Sequence, residues 1–129
     1  MSTEKQNETK FLNVDLDIQC MSGLESLLNF LNPHVCVLSK DKKSASVALN
    51  TPYRSLDETL QRFVELIKSL PQHGANIWNQ CEKRVFNIGI QGGIEPHEAY
   101  FFLSHKTIFL LTSIQAEVQI TVYARPESS

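Results

Sequence analysis

Two stretches near the ends of the chain alternate strictly between apolar and polar residues. The first runs from about Leu12 to Cys20, and its polar positions are Asn13, Asp15, Asp17 and Gln19. The last runs from about Glu117 to Ala124, and its polar positions are Glu117, Gln119, Thr121 and Tyr123. A period of two places successive side chains on opposite faces of a strand. Both stretches therefore predict strands with one buried face and one solvated face.

Four segments between these strands have the spacing of amphipathic helices. The first begins at a capping box, Ser22 to Glu25, and the second at another, Ser55 to Glu58. A third helix is predicted from about Gly74 to Lys83, and Ser104 caps a short fourth. Their apolar stripes are Leu24, Leu27, Leu28 and Leu31; Leu56, Leu60, Phe63, Val64 and Ile67; Ile77, Trp78 and Cys81; and Ile108 and Leu111.

The remaining apolar runs predict further strands, at Val35–Leu38, Ala45–Leu49, Val85–Gln91 and about Glu98–Leu103. The resulting order is β-α-β-β-α-(α)-β-β-α-β, and its first six main elements follow the ferredoxin-like order. We predict an α+β fold with a mixed, mostly antiparallel sheet and its helices packed on one face. Residues 11–125 form one domain in this interpretation, and residues 1–10 and 126–129 are disordered tails.

Composition excludes several classes of protein. The 129 residues carry a net charge of −2 and no basic stripe, so we expect no nucleic-acid partner. No stretch approaches the ~20 apolar residues that cross a bilayer, and the polar N-terminus is not a signal peptide, so no membrane association is expected.

Cysteine usage favours a reducing compartment. The three cysteines are odd in number and widely spaced, which indicates neither a disulfide framework nor a zinc pair. We predict that Cys20, Cys36 and Cys81 are free thiols in the core of a cytoplasmic protein.

Few residues suggest a catalytic, metal or cofactor site. The four histidines lack metal-ligand spacing, and Gly89, Gly92 and Gly93 do not form a phosphate-binding motif, so no metal and no cofactor is predicted. Asp15 and Asp17 share one strand face, with Cα atoms about 6.5–7 Å apart. That spacing suits an acid/base pair, a cation or an ordinary solvated face.

The most unusual stretch is Trp78–Gly93 (WNQCEKRVFNIGIQGG). Trp and Arg are favoured in binding surfaces, although Trp78 also fits a core and Arg84 also fits a structural ion pair with Asp15 or Asp17. If the polar faces of the strands merge, the candidate binding surface comprises Asp15, Asp17, Arg84, Asn87, Gln91, Gln119, Thr121 and Tyr123.

Several stretches together resemble a family of small bacterial proteins known only as a domain of unknown function. They are Leu16–Ile18 (LDI), Ile67–Pro71 (IKSLP), Trp78–Gln91, Leu103–Thr107 (LSHKT) and Ala116–Ala124 (AEVQITVYA). The chain departs from the pattern at Gln115, where glycine is common after the last helix and would favour a left-handed cap. The resemblance implies an intracellular α+β domain and transfers no catalytic residue.

Three hypotheses about function follow, in descending order of the support that the sequence gives them. The first is a non-enzymatic protein-binding module, immunity-like or regulatory, that binds another protein or itself. The second is a small-molecule-binding regulatory domain, because ferredoxin-like units elsewhere hold ligands between subunits. The third is an enzyme that uses Asp15 and Asp17.

Overall fold

The computed structural model describes residues 7–51, 53 and 55–124, which form five strands and four helices. They are β1 (Lys10–Gln19), α1 (Leu24–Leu31), β2 (Val35–Lys40), β3 (Ser44–Leu49), α2 (Leu56–Lys68), α3 (Gln72–Gln80), β4 (Lys83–Gln91), α4 (His105–Ser113) and β5 (Glu117–Tyr123).

All five strands belong to one sheet with the order β2-β3-β1-β4-β5. The pairs β1–β3, β1–β4 and β2–β3 are antiparallel, and only β4–β5 is parallel. Because β3 lies between β1 and β2, the β1-α1-β2 unit is split, as in a ferredoxin-like arrangement. The predicted α+β class, the mixed and mostly antiparallel sheet and the ferredoxin-like beginning are confirmed.

The helices pack on one face of the sheet. Leu16 and Ile18 of β1, with Phe86 and Ile88 of β4, are fully buried on that face. All four predicted leucines of α1 and the predicted stripe of α2 are also buried. At ~1.5–3 kcal/mol for each large apolar side chain, this burial is the main force that holds the helices on the sheet.

A bulge changes the start of β1. Phe11 lies opposite Ile90 and Asn13 lies opposite Gly89, so Leu12 is an extra residue in the strand. The prediction that Leu12 faces the core is therefore wrong: it is exposed, and Phe11 packs against the core instead.

The first helix begins differently from the prediction. Its N-cap is Gly23, with φ 87°, and no side chain caps it, so the Ser22–Glu25 capping box does not form. A Cβ atom on Gly23 would lie 3.0 Å from Ile77 of α3, and this close approach favours glycine. In α2 the predicted cap is present, because Ser55 Oγ accepts a hydrogen bond from the Glu58 amide at 3.1 Å.

The predicted strand at Glu98–Leu103 does not form, and this segment has no regular structure. Phe101 and Leu103 pack against the core, whereas Tyr100 and Phe102 are exposed. Exposure thus alternates along the segment, as in a strand, but no strand of the sheet pairs with it.

Part of the predicted first tail is ordered. Residues 7–9, within the predicted first tail, make backbone hydrogen bonds with Ile94 and Glu95. Lys10, the last residue of that predicted tail, begins β1. Residues 1–6 and the predicted tail at 126–129 lie outside the described residues.

The cysteines contradict the prediction of three free, buried thiols. Cys20 and Cys81 are buried as expected, but they form a disulfide with Cα atoms 4.4 Å apart. Cys36 is free, yet it is exposed because β2 is an edge strand and only Val35 of it is buried. The cysteines therefore give no support for a reducing cytoplasm.

A polar network fixes α4 against α2. Asp57 accepts hydrogen bonds from the Ser104 amide at 2.7 Å and from Gln61 Nε2 at 3.0 Å. Gln61 also donates to the hydroxyl of Thr107, which is fully buried and bonds to Ser104 Oγ. Burial raises the pKa of Asp57, but hydrogen bonds from Ser104, Thr107 and Gln61 outweigh it and hold that pKa below its usual value.

We expect Asp57→Ala to lower the free energy of unfolding by about 1–2 kcal/mol at neutral pH, because the Ser104 amide and Gln61 lose a charged acceptor. A carboxyl with a depressed folded-state pKa stabilises fully above its unfolded pKa, and this stabilisation is lost as the pH falls through the folded value. Urea denaturation at neutral and strongly acidic pH therefore gives a difference that disappears in acid. The exposed Glu58→Ala is the control; a pH-independent loss in Asp57→Ala would contradict the electrostatic explanation.

Candidate binding surfaces

One face of the sheet is polar, as the sequence predicts. Asp15 of β1 lies opposite Asn87 of β4, which in turn lies beside Gln119 of β5. We define the polar sheet face by the side chains on this side: Asn13, Asp15, Asp17, Ser46, Asn87, Gln91, Gln119, Thr121 and Tyr123. The two end strands do not pair directly, because β4 separates them, but Asn87 and Gln91 connect their polar residues into one surface.

Hydrogen bonds link the polar side chains across neighbouring strands. Thr121 Oγ1 donates to Asn87 Oδ1 at 2.8 Å, and Ser46 Oγ donates to Asp17. Asn13 Nδ2 donates to Asp15 Oδ1 at 3.1 Å. The sequence reasoning did not assign Asn13 and Ser46 to this surface, although their positions in the period-two pattern of β1 and β3 could have identified them.

Gly89 lies in the middle of the polar sheet face and leaves room for its neighbours. A Cβ atom there would be 2.9 Å from Asn13 Oδ1 and 3.4 Å from the ring of Tyr123. Glycine thus permits a close approach at this position.

The two aspartates do not share a pocket. Both are half-buried on the sheet face, and burial, followed by the charge of Asp17, raises the pKa of Asp15. A groove of about 350 Å³ at one end of the face includes Asp17 but not Asp15, and charged and hydroxyl side chains dominate its lining. Within residues 7–51, 53 and 55–124, no group of three histidine, cysteine or acidic side chains is placed to hold a metal ion.

Arg84 is separate from the polar sheet face. It lies opposite Ile18, so it is on the face that carries the helices. Its guanidinium donates to the carbonyl oxygens of Trp78 at 3.0 Å, Cys81 at 2.8 Å and Gln115 at 3.1 Å. The hypothesis that Arg84 pairs with Asp15 or Asp17 is therefore wrong. Its contacts join the end of α3 to the turn before β5.

That turn contains a residue in the left-handed conformation. Gln115 has φ 59°, the conformation for which glycine is favoured after a helix. The Trp78 indole donates to the Ile114 carbonyl at 2.9 Å from a buried position. Trp78 is thus a core residue that fixes the end of α4, and not part of an exposed binding surface.

A second surface was not anticipated from the sequence. Val118, Ile120 and Val122 of β5 pair with Phe86, Ile88 and Ile90 of β4, so they are on the helix-bearing side of the sheet. All three are nevertheless exposed, Ile120 by 61% and Val122 by 63%. We call these three residues the β5 apolar strip. The alternation of β5 gives its two faces, but it gives no indication that the helices leave one of them uncovered.

The helix that leads into β5 is also apolar on its outside. Ile108 and Phe109 of α4 are more than half exposed. This differs from α2, where the large apolar side chains of the stripe are buried. Both α4 and β5, which follow one another in the chain, therefore expose large apolar side chains.

Comparison with known proteins found no matching family model, curated protein or solved structure. Among the described residues, no helix is both long and apolar enough to cross a membrane.

Proposed function

We propose that this chain is a non-enzymatic interaction module that binds protein through β5. The observation that carries the proposal is the β5 apolar strip, which belongs to the helix-bearing side of the sheet but has no helix over it. Exposed apolar surface of this kind is typical of protein contact sites. Covering each of its side chains would contribute up to about 1.5–3 kcal/mol.

The alternatives have less support. Small-molecule sites are mostly apolar cavities with a few placed polar groups. The groove beside Asp17 has the opposite composition, with Lys40, Lys83 and Asp41 in its lining. An enzyme based on Asp15 and Asp17 would need both carboxylates in one enclosed pocket, and they lie on an open sheet face.

The finer assignments stay predictions. An immunity-like or regulatory role, a bacterial origin, the resemblance to the family of unknown function and a cytoplasmic location fit a small binding module. The location now stands without support from the cysteines, because Cys20 and Cys81 are paired. A location that permits disulfides would be equally compatible with an interaction module.

The proposal is tested by affinity capture from the native cells with three baits: the wild-type chain, Ile120→Lys and Leu38→Lys. The last two changes place the same charge on exposed apolar residues of the two edge strands, β5 and β2. We expect wild type and Leu38→Lys to recover a protein, which can be another copy of the chain itself, in amounts comparable to the bait. Ile120→Lys should recover less than one-tenth as much.

Binding is then measured between the purified bait and the purified captured protein. Equal recovery by all three baits, or no stoichiometric partner for the wild type, would contradict binding through the β5 apolar strip. Circular dichroism spectra of the three baits establish that each is folded.

A further inference from the structure

We infer that the partner of β5 is the β5 of a second copy of this chain, so that two five-stranded sheets join into one of ten strands. This inference rests on the proposed function and names its partner. Four features support it: the free edge of β5, its contrast with the other edge, its self-complementary order of residues and the area available.

The first feature is the free edge. β5 is the last strand of the sheet, and within the described part of the chain its backbone hydrogen bonds go to β4 and Gly92. Its outer edge therefore presents a row of amide and carbonyl groups that another strand can pair with. Strand addition of this kind is a common mode of protein recognition.

The second feature is the contrast between the two edges of the sheet. At the other edge, β2 has an irregularity between Val37 and Ser39 and ends at Lys40, which forms a salt bridge with Glu25. Bulges and lysines are devices that prevent edge-to-edge pairing. By contrast, β5 keeps a regular register with β4 over seven residues, and its sequence contains no lysine and no proline.

The third feature is that β5 is self-complementary about its central residue, Ile120. In an antiparallel pair with a twofold axis at Ile120, Val118 lies opposite Val122 of the second copy, and the two Ile120 side chains meet. On the other face, Gln119 lies opposite Thr121. The only charged residue of the strand, Glu117, then lies opposite Tyr123 and not opposite another glutamate.

The same axis keeps the faces of the two sheets aligned, because a twofold axis perpendicular to a sheet does not exchange its faces. Both β5 apolar strips would thus lie side by side with the helices of both copies on that side. The two polar sheet faces would form one continuous surface on the other side.

The fourth feature is the area. Val118, Ile120 and Val122 are 39%, 61% and 63% exposed, so each copy brings three partly uncovered apolar side chains to the contact. The backbone edge and the polar side chains of β5 add to it. A standard stable interface covers about 800 Å² on each partner, and a twofold axis lets the strips and the strand edges of both copies contribute to a single contact.

The inference is tested by sedimentation equilibrium of the purified chain over a wide range of concentrations. We expect a monomer–dimer equilibrium for the wild type and for Leu38→Lys, which places the same charge on an exposed residue of the opposite edge strand β2, and at least a tenfold weaker dimer for Ile120→Lys. Ile120→Thr provides a second, smaller change at the same position. Because Ile120 is exposed, both variants should fold as the wild type does.

The register is tested by cysteine cross-linking in a Cys36→Ser background. Ile120→Cys should form an intermolecular disulfide on mild oxidation, because the two copies of residue 120 face each other across the axis. Val118→Cys is the matched control: its two copies would be four residues apart along the strands, about 13 Å, and should not cross-link.

A monomer at every concentration would overturn the inference, and so would a dimer that Ile120→Lys does not weaken. Either result leaves the proposed function standing if capture of a different protein depends on Ile120. Loss of that dependence as well would overturn both.

Discussion

Reduction of the Cys20–Cys81 disulfide is expected to lower the free energy of unfolding by about 4 kcal/mol. The bond joins residues 61 positions apart, so it closes a long loop in the unfolded chain. In the chain-entropy model, a loop of this length stabilises the folded state by about 4 kcal/mol. The effect is large compared with the total of about 5–15 kcal/mol that holds a typical domain together.

Urea denaturation of the wild-type chain with and without reductant measures this effect, and alkylation followed by mass spectrometry counts the free thiols. One free thiol is expected before reduction and three after it. Cys36→Ser is the control, because this cysteine is exposed and unpaired; it should keep both the stability and the sensitivity to reductant. Three reactive thiols in the unfolded but unreduced chain would show that the bond is absent.

Arg84→Ala is expected to lower the free energy of unfolding by about 2–3 kcal/mol. The guanidinium donates to the carbonyls of Trp78, Cys81 and Gln115, and each of these acceptors loses a charged partner in the variant. The turn before β5 depends on one of those bonds, so the variant should also speed amide hydrogen exchange in β5. A residue that only contacts a binding partner would affect neither quantity.

Two further variants make this prediction specific. Arg84→Lys should recover less than half of the lost stability, because a lysine ammonium cannot present the planar fork that reaches three carbonyls. Lys83→Ala changes the exposed neighbour and should alter stability by less than about 0.5 kcal/mol. Wild-type stability in Arg84→Ala would contradict the structural role.

Local patterns predict much of this fold because they reflect local physics. The four leucines of α1 recur at helical spacing, and all are buried. The alternation of β1 correctly separates Leu16 and Ile18 from Asp15 and Asp17. The pattern fails where tertiary contact decides: Gly23 begins α1 because α3 approaches it closely, and the Glu98–Leu103 segment alternates without a strand beside it.

The disulfide depends on contacts between residues that are far apart in the sequence. Cys20 follows β1, and Cys81 precedes β4 by two residues. Pairing of Gln19 with Lys83, and the hydrogen bond from the Glu82 amide to the Gln19 carbonyl, bring the two cysteines together. Which strands pair cannot be determined from the period-two pattern, so neither the disulfide nor the edge position of β5 could be predicted.

The polar sheet face was predicted almost completely, and the β5 apolar strip was not recognised as a surface. Both outcomes follow from what the alternation of a strand does and does not determine. Alternation tells which side chains of a strand share a face, but coverage depends on where the helices pack and where the strand stands in the sheet. Arg84 was misplaced although the alternation of β4 puts it on the same face as Phe86, which is the helix-bearing face, next to the end of α3.

The central claim is that β5 pairs with the β5 of a second copy. Hydrogen exchange of the β5 amides, measured in dilute and in concentrated protein, tests it most directly. Outward-pointing amides of a free edge exchange quickly, whereas those of a paired strand are protected. We expect strong protection within Glu117–Tyr123 to appear as the concentration rises, and to be absent in Ile120→Lys. Exchange of these amides at the same fast rate at all concentrations would contradict the claim.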